Sequence, residues 1–412
     1  MIVVGGGIAG LAAARELARN GIAVTVIEAK NRFGGRIHTI RAGPFPVELG
    51  AEFVHGENQP LLKIIHEANL SIHAAPELKQ LFKNGKLEPI IFWDLIGEII
   101  SRVNPREGDC SFAEFLAREI SDEQNRKLAR DFVEGFDAAH TERISAHALL
   151  RAQFAAEQMN GAQQSRVNEG YSALIDFLER EIENHGGGLL KETIARRIYW
   201  KTGAVEVRAQ RGENVETHNA DAAILALPLG ILKTNEVIIE PLLAEKQEAI
   251  RELEFGNAMK MTFLFQNQWW KNFGLVHALD EPMPTWWDDP RGPMLTGWAG
   301  GPKADALRHC SPPELETLGL KILGRIFSES AASLRKQLIA SHTWNWARDP
   351  QVRGAYSYIP VNGLDLPKRL AAPVADTLFF AGEATVSDAQ TGTVFGAFES
   401  GLRAAREILV PE

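Results

Sequence analysis

Cysteine is almost missing from this chain of 412 residues: Cys110 and Cys310 stand far apart and alone. Two distant thiols supply neither a disulfide framework nor a clustered metal site. A reducing compartment, the cytoplasm, is the expected setting, and no metal is expected. Runs of lysine or arginine are missing too. With a formal net charge of −9, the chain lacks the basic stripe that marks nucleic-acid binding. No apolar stretch approaches the ~20 residues of a membrane-spanning helix. The chain opens directly on a strand pattern, so no secretory leader is expected. Internal repeats and low-complexity tracts do not occur, which excludes solenoid architectures. What remains is an ordinary mixed composition, 45% hydrophobic, long enough for two or three domains. Its mild acidity suits a cationic partner, although many acidic proteins bind none. Nothing in the composition chooses between a monomer and a homodimer.

The stretch from Met1 to Glu28 carries the strongest pattern. Met1-Ile-Val-Val4 reads as a strand, Ile8 to Arg19 as a helix, and Ala23 to Ile27 as a second strand ending on an acid. Between strand and helix lies G-x-G-x-x-G, at Gly5, Gly7 and Gly10, with Glu28 eighteen residues after the last glycine. Gly5 permits the tight turn, Gly7 lets a pyrophosphate approach the main chain, and Gly10 with Ala13 lets the helix pack closely on the strand. Free N–H groups and the positive end of the helix then face the phosphates. Glu28 can accept hydrogen bonds from a ribose diol, and its charge repels a 2′-phosphate, so FAD or NAD is favoured over NADP. Next comes a loop with Gly34, Gly35 and Arg36, which reads as a surface turn or as main chain and a cation at phosphate oxygens. Residues 47–56 hold Gly50, Ala51, Glu52 and His55 among apolar neighbours, odd for a strand and suggestive of backbone lying against a ligand.

Further on, residues 61–69 read as a helix and 80–88 as a hairpin turning at Asn84-Gly85. From 93 to 157 the pattern is helical, with Ser111 and Ser121 as caps. A helix at 171–184 is followed by strands at 194–199, 205–209, 215–218 and 222–226, a meander. Another helix spans 243–253, then a strand 259–265. Trp269-Trp270 and Trp286-Trp287 fall in a proline-rich region; 312–328 reads as a helix and 337–346 as a strand. Leu378 to Ala381 is a buried strand turning at Gly382-Glu383, and 391–409 becomes a helix. The fold class is α/β, α+β overall: a Rossmann-like nucleotide domain (1–76, 165–235, 350–412) interleaved with a mixed-sheet and helical substrate domain (77–164, 236–349).

These residues resemble the flavin amine oxidases, which include monoamine oxidases, polyamine oxidases and histone lysine demethylases. The likeness runs through Glu28 to Arg36, Glu48 to Gly56, Ala222 to Gly230, Trp346 to Tyr358, and Leu378 to Leu409 with Phe380-Ala-Gly-Glu-Ala-Thr385. It is closest to the polyamine oxidase type, and weakest over 93–165. The resemblance implies FAD, with Ala195 offering main chain to the adenine, Glu383 serving ribitol or phosphate, and Thr393 and Val394 at the pyrimidine end of the ring. N–H groups at a helix start near Val394 suit negative charge on the reduced ring. A neutral amine would give a hydride equivalent to the flavin, the imine would hydrolyse to an aldehyde and a shorter amine, and O2 would become hydrogen peroxide.

Lys260 stands in Met259-Lys-Met-Thr-Phe-Leu-Phe265, where alternation puts it opposite Met259, Met261 and Phe263. On pattern alone it is a lysine at a wet sheet face. The resemblance makes it the lysine beside the flavin that assists reoxidation. Tyr356 is a core tyrosine or, by resemblance, the aromatic wall against the amine. Thr393 falls where monoamine oxidases have a second cage tyrosine, which argues against small arylalkyl amines. Glu52 and His55 either hold a second amine of a long substrate or bond within their own loop; Trp346 reads as core beside the pocket. Two rivals remain: an L-amino-acid oxidase or desaturase of the same superfamily, with Arg348 or Arg353 for a carboxylate, and a flavin-binding partner protein without catalysis. Ala355 falls where monoamine oxidases carry their flavin-linking cysteine. Acid precipitation is therefore expected to release yellow FAD into the supernatant, and colour retained in the pellet would refute non-covalent binding.

Overall fold

The computed structural model describes residues 1–90, 92–386 and 390–410; positions 387–389, within the segment that resembles the flavin-closing one, lie outside the described residues. Five short strands form a parallel sheet in the order Gly188–Leu190, Thr25–Ile27, Ile2–Val4, Ala223–Leu225, Leu378–Phe380. Strands this apolar suit a sheet covered on both faces. Val3, Val26, Ile224 and Phe379 join the core beneath helices Ile8–Arg19, Ser172–Asn184 and Val394–Leu409. The alternate residues, Ile2, Val4, Ile27, Leu225 and Phe380, pack with Ile198, Val205 and Val207 of a meander, Thr193–Lys201, Ala204–Arg211 and Asn214–Ala220. Each strand thus sends successive side chains to two different cores.

The turn after Ile2–Val4 shows why glycine is needed there. Gly5 has φ +110, and a Cβ on it would lie 2.5 Å from Ala226 O. A Cβ on Gly10 would come 2.0 Å from Gly5 O, whereas one on Gly7 meets no protein atom within 4 Å. Two of these glycines therefore serve packing, and Gly7 keeps a space open.

A second, mixed sheet has seven strands in the order Leu338–Asn345, Ala258–Phe265, Met294–Gly300, Thr285–Asp289, Leu275–His277, Lys79–Lys83, Lys86–Pro89. Only the pairing of Leu275–His277 with Lys79–Lys83 is parallel among these described neighbours. Three of these strands fall in the region that reads as proline-rich, where Pro282, Pro284 and Pro293 break the alternation into pieces too short to recognise. Met259, Met261, Phe263 and Phe265 pack with Leu315, Leu320 and Leu323 of helix Pro312–Phe327. The opposite face is not wet: all eight residues of Ala258–Phe265 are buried, because the loop carrying Gly50 and Glu52 lies over it. Four helices, Phe92–Ser101, Phe112–Glu119, Glu123–Phe136 and Ala146–Gln158, form the helical block. Ser111 caps the second through a capping box with Glu114. The third is capped by Asp122 rather than Ser121: its carboxylate accepts from Asn125 N at 2.7 Å. A short strand, Gln164–Val167, pairs with both Val54–His55 and Ile72–Ala74.

Gly10→Ala is expected to destabilise the flavin-free protein by about 1–3 kcal/mol through overpacking. Gly7→Ala is expected to lower that stability by about 1 kcal/mol at most, the scale of a cap change, while abolishing flavin retention. Denaturant unfolding and flavin titration check the pair; equal stability losses would contradict it.

Candidate active site

A cavity of about 470 Å³ opens at the carboxyl ends of the parallel strands, where Val4, Ile27, Leu225 and Phe380, each the last residue of its strand, line it. This is the crevice in which open α/β sheets bind their ligands. It is also lined by Gly5, Gly7, Glu28, Arg36, Gly50, Ala51, Ala195, Gly382, Glu383, Thr393 and Val394. From the second sheet and the loops around it, Glu52, His55, Lys260, Trp346 and Tyr356 line the same space. Of the three fingerprint glycines, Gly10 sits behind it.

The nucleotide end has the chemistry for a dinucleotide. Helix Ile8–Arg19 starts at Gly7 with no side-chain cap, so its first N–H groups are left for a ligand. Glu28 accepts from Gly6 N at 2.7 Å and from Lys30 N at 2.8 Å. Burial pushes its carboxyl above the ordinary value, against those two donors and the nearby cations. Its remaining lone pairs suit a ribose diol. Ala195 lies where the pairing of Thr193–Lys201 with its neighbour shifts register, which turns main chain towards the cavity.

Arg36 and Glu383 form a clamp. Nη1 of Arg36 donates to Glu383 Oε1 and to Ala355 O, both at 2.7 Å. The other oxygen of Glu383 accepts from Ser357 Oγ at 2.6 Å, Ser357 N at 3.2 Å and Gly392 N at 3.2 Å. Glu383 is thus held by protein donors on both oxygens while lining the cavity. The Arg36 guanidinium lies over the Phe255 ring at 5.8 Å, and its Nε and Nη2 have no hydrogen-bond partner among the described residues and fit a phosphate. Thr393 caps helix Val394–Leu409, accepting from Gly396 N at 3.0 Å and donating to Gln390 O at 2.7 Å. Its hydroxyl thus belongs to the helix start. Trp346 is 3% exposed and donates to Leu49 O at 3.2 Å, supporting the loop from below.

Lys260 and Glu52 form the centre of the other end. The ammonium lies 2.5 Å from Glu52 Oε2 and donates to Gly50 O at 3.1 Å. Glu52 Oε1 accepts from Arg166 Nε at 2.7 Å and from Trp287 Nε1 at 2.9 Å. Burial pushes the Glu52 carboxyl up, but Lys260 and Arg166 together outweigh it and hold the group at about 2. A carboxylate with both oxygens engaged this way is a counter-ion to internal cations. It does not offer itself to a second substrate amine, the role weighed for it from the sequence.

That role has a better candidate in a residue sequence reasoning missed. Asp137 closes helix Glu123–Phe136 and lines the cavity. Among the described residues its carboxyl has no hydrogen-bond or ion-pair partner, and burial pushes it up to about 7. Its neighbour Phe136 accepts the Tyr356 hydroxyl through its carbonyl at 2.6 Å. Burial, with Asp137 and Glu383 nearby, raises the Tyr356 phenol far above its usual range, so it stays a neutral donor. Glycine at 392 leaves room for the tyrosine ring, which a Cβ there would meet at 3.0 Å. His55 sits between Phe53 and Phe136, with ring centroids 6.0 and 5.9 Å away. Burial lowers it to about 4, so it is neutral at physiological pH. Arg348 and Arg353 do not line this cavity, and Arg353 pairs with Glu236, so neither of these candidate carboxylate anchors faces it.

Glu52 sets a testable acid limb. Its folded value of about 2 lies below the ordinary 4.5, so it adds stability above pH 4.5 that is lost as pH falls towards 2. The loss is about 3 kcal/mol for a shift of this size. Glu52→Gln is expected to lower stability at neutral pH and to flatten the slope between pH 4.5 and 2. An unchanged slope in acid denaturation would assign it to another carboxylate.

Comparison with known proteins agrees with this geometry. Residues 8–97 and 106–409 match the family described as flavin containing amine oxidoreductase. Polyamine oxidase 3 of Oryza sativa subsp. japonica is 30% identical, the match covering 98% of this chain and 88% of that protein. Polyamine oxidase 2 of Arabidopsis thaliana is 29% identical over 99% of this chain and 87% of its own length. Among solved structures, putrescine oxidase bound to putrescine superposes with a TM-score of 0.84 at 18% identity, covering 99% of this chain and 98% of that one. Cyclohexylamine oxidase from Brevibacterium oxydans IH-35A gives 0.83 at 21% identity, with coverage of 99% and 98%. Those two likenesses concern the fold. The match along nearly the whole chain, together with the 30% identical relative, settles the family: this chain is a flavin-containing amine oxidoreductase.

Proposed function

We propose that this enzyme oxidises a C–N bond of an aliphatic diamine or polyamine to an imine and aldehyde, with non-covalent FAD and with O2 as acceptor, forming hydrogen peroxide. The segments 1–76, 165–235 and 350–412 would hold the cofactor, and 77–164 with 236–349 the amine. The residues present fit FAD: an uncapped helix start behind Gly7, an acid for the ribose at Glu28, a part-free guanidinium at Arg36, and alanine at 355 in place of a linking thiol. FAD, when bound, supplies the two-electron acceptor for the C–N bond.

The chain's own residues bind and orient. The observation that carries the substrate reading is Asp137: a carboxyl without a partner among the described residues, in a cavity that Phe53, Phe136, Trp287 and Tyr356 also line. An ammonium at one end of a substrate is attracted to Asp137. The reacting nitrogen, pressed against the Tyr356 ring, is desolvated and favoured in its neutral form. Neutral His55 adds no repulsive charge. The fixed Tyr356 hydroxyl keeps the ring from turning away. A monoamine gains only the aromatic contacts; a second amine gains the charge as well. The names of the relatives, polyamine and putrescine oxidases, are in keeping with this reading.

Peroxide release from putrescine, spermidine, benzylamine and amino acids tests the substrate class; activity confined to amino acids would refute it. Asp137→Asn is expected to lower kcat/KM for diamines about 10–100-fold, the worth of a hydrogen bond to a charge, and to change monoamine turnover less than about threefold. Because the Asp137 carboxyl lies at about 7, KM for diamines is expected to fall as pH rises through 7 and the carboxylate forms. The Asn variant should lose that limb.

A further inference from the structure

We infer that Glu52, backed by Arg166, is a positioning residue that fixes the Lys260 ammonium at the cavity wall and leaves the cluster one positive charge in excess. This rests on the amine-oxidase reading above and extends it to the oxygen half of the reaction.

The geometry is restrictive. Lys260 is 2% exposed yet lines the cavity. Of its three N–H donors, one faces Glu52 at 2.5 Å and one faces Gly50 O at 3.1 Å, and Trp287 holds its ring 5.7 Å from the nitrogen. No partner for the remaining N–H appears among the described residues, which leaves it for the cavity. Glu52 in turn cannot rotate, because its second oxygen takes Arg166 and Trp287 from defined sides. Arg166, 1% exposed, lies over Phe53 at 4.6 Å. It stands on Gln164–Val167, a strand paired on both sides, so its position is set by two registers.

The charges explain why three residues are needed. Burial alone disfavours an ammonium, and an opposite charge in contact favours it. Glu52 with Lys260 alone would cancel; adding Arg166 leaves one surplus cation. Nearby, Arg291 and Asp289 neutralise each other at 2.6 Å. Glu48, which accepts from Tyr171 N at 2.8 Å and Thr39 Oγ1 at 2.7 Å, and Asp288, which lies near Arg166, are both pushed up towards the neutral form by burial. Burial of these two carboxyls works against their cancelling the surplus of the Lys260, Glu52 and Arg166 cluster. In the oxidative half-reaction of the loaded enzyme, dioxygen would take two electrons and one proton from the reduced cofactor and a second proton from solvent, giving hydrogen peroxide. The first electron makes an anion, superoxide, which a fixed cation in a water-poor site stabilises.

Stopped-flow kinetics separate the two halves. Glu52→Gln is expected to slow reaction of the amine-reduced enzyme with oxygen at least about tenfold, while anaerobic reduction by putrescine changes less than about threefold. Lys260→Met should lose as much in the oxygen step, and the double variant no more than Lys260→Met alone, since Glu52 acts through Lys260. Glu52→Asp keeps the charge, serves if the Gln variant does not fold, and should lose about three- to tenfold in the oxygen step alone. In flavin-free protein, the two substitutions should be non-additive by at least about tenfold in the unfolding constant, the double variant being more stable than Glu52→Gln. Equal losses in both half-reactions, an unchanged oxygen step, or additive stabilities would overturn the inference. If no amine reduces the native enzyme, it is the amine-oxidase reading that fails; if amines do and Glu52→Gln meets oxygen as the native protein does, only this inference falls.

Discussion

A buried charge can be kept only where a counter-charge meets it, and Lys260 makes that rule organise the seam between the two sheets. Its strand lies in the second sheet, whereas Glu52 and Gly50 belong to the loop that follows the nucleotide-binding segment. For that loop to reach the lysine, its backbone must pass very close to its neighbours: a Cβ on Gly50 would lie 1.9 Å from Arg36 O. The same closeness lets Ala51 N donate to Arg36 O at 3.1 Å. One ion pair therefore fixes a loop, the loop fixes Arg36, and Arg36 reaches the acid at Glu383. Cofactor end and substrate end are set by one chain of contacts.

Two carboxyls on the same cavity have opposite environments, and that separates their roles. Glu52, held at about 2 by Lys260 and Arg166, is an anion that the protein already satisfies. Asp137, pushed up to about 7 by burial with no cation beside it among the described residues, is an acceptor that a cationic ligand would satisfy. Charge alone does not distinguish them; what each already touches does. Environments that push two like groups apart in this way are how one cavity assigns distinct tasks to the same functional group.

Much of this was legible in the sequence, and the rest was hidden for identifiable reasons. The nucleotide unit shows itself because glycines, strands, helix and Glu28 are local to one another within 28 residues. The lysine strand is legible because alternation survives over Met259 to Phe265. Glu52 is visible as a charge among apolar residues, but its partners lie 114 and 235 residues away at Arg166 and Trp287, so nothing local says the carboxylate is satisfied. Arg166 sits on a strand of four residues, too short for a period to register. Asp137 ends a helix after Phe136, where an acid ordinarily reads as a solvated terminus. A like reasoning covers the middle strands of the second sheet, which prolines cut into fragments. Local order is readable; pairing across the chain is not.

The aromatic wall shows how far that pairing reaches. Tyr356 is held at its hydroxyl by Phe136 O, from the helical block, and at its carbonyl by Gly256 N. The next residue, Ser357, is fixed by both its N–H and its hydroxyl to Glu383, which also takes Gly392 N beneath the tyrosine ring. Glu383 follows the last parallel strand, so the acid that closes the nucleotide crevice also sets the angle of the wall facing the amine. The chain passes between the two sheets several times, so wall and lysine are set within one polypeptide. A wall positioned from the cofactor side and a lysine positioned from the loop side are held in one register by these contacts, each of which joins segments far apart in the chain.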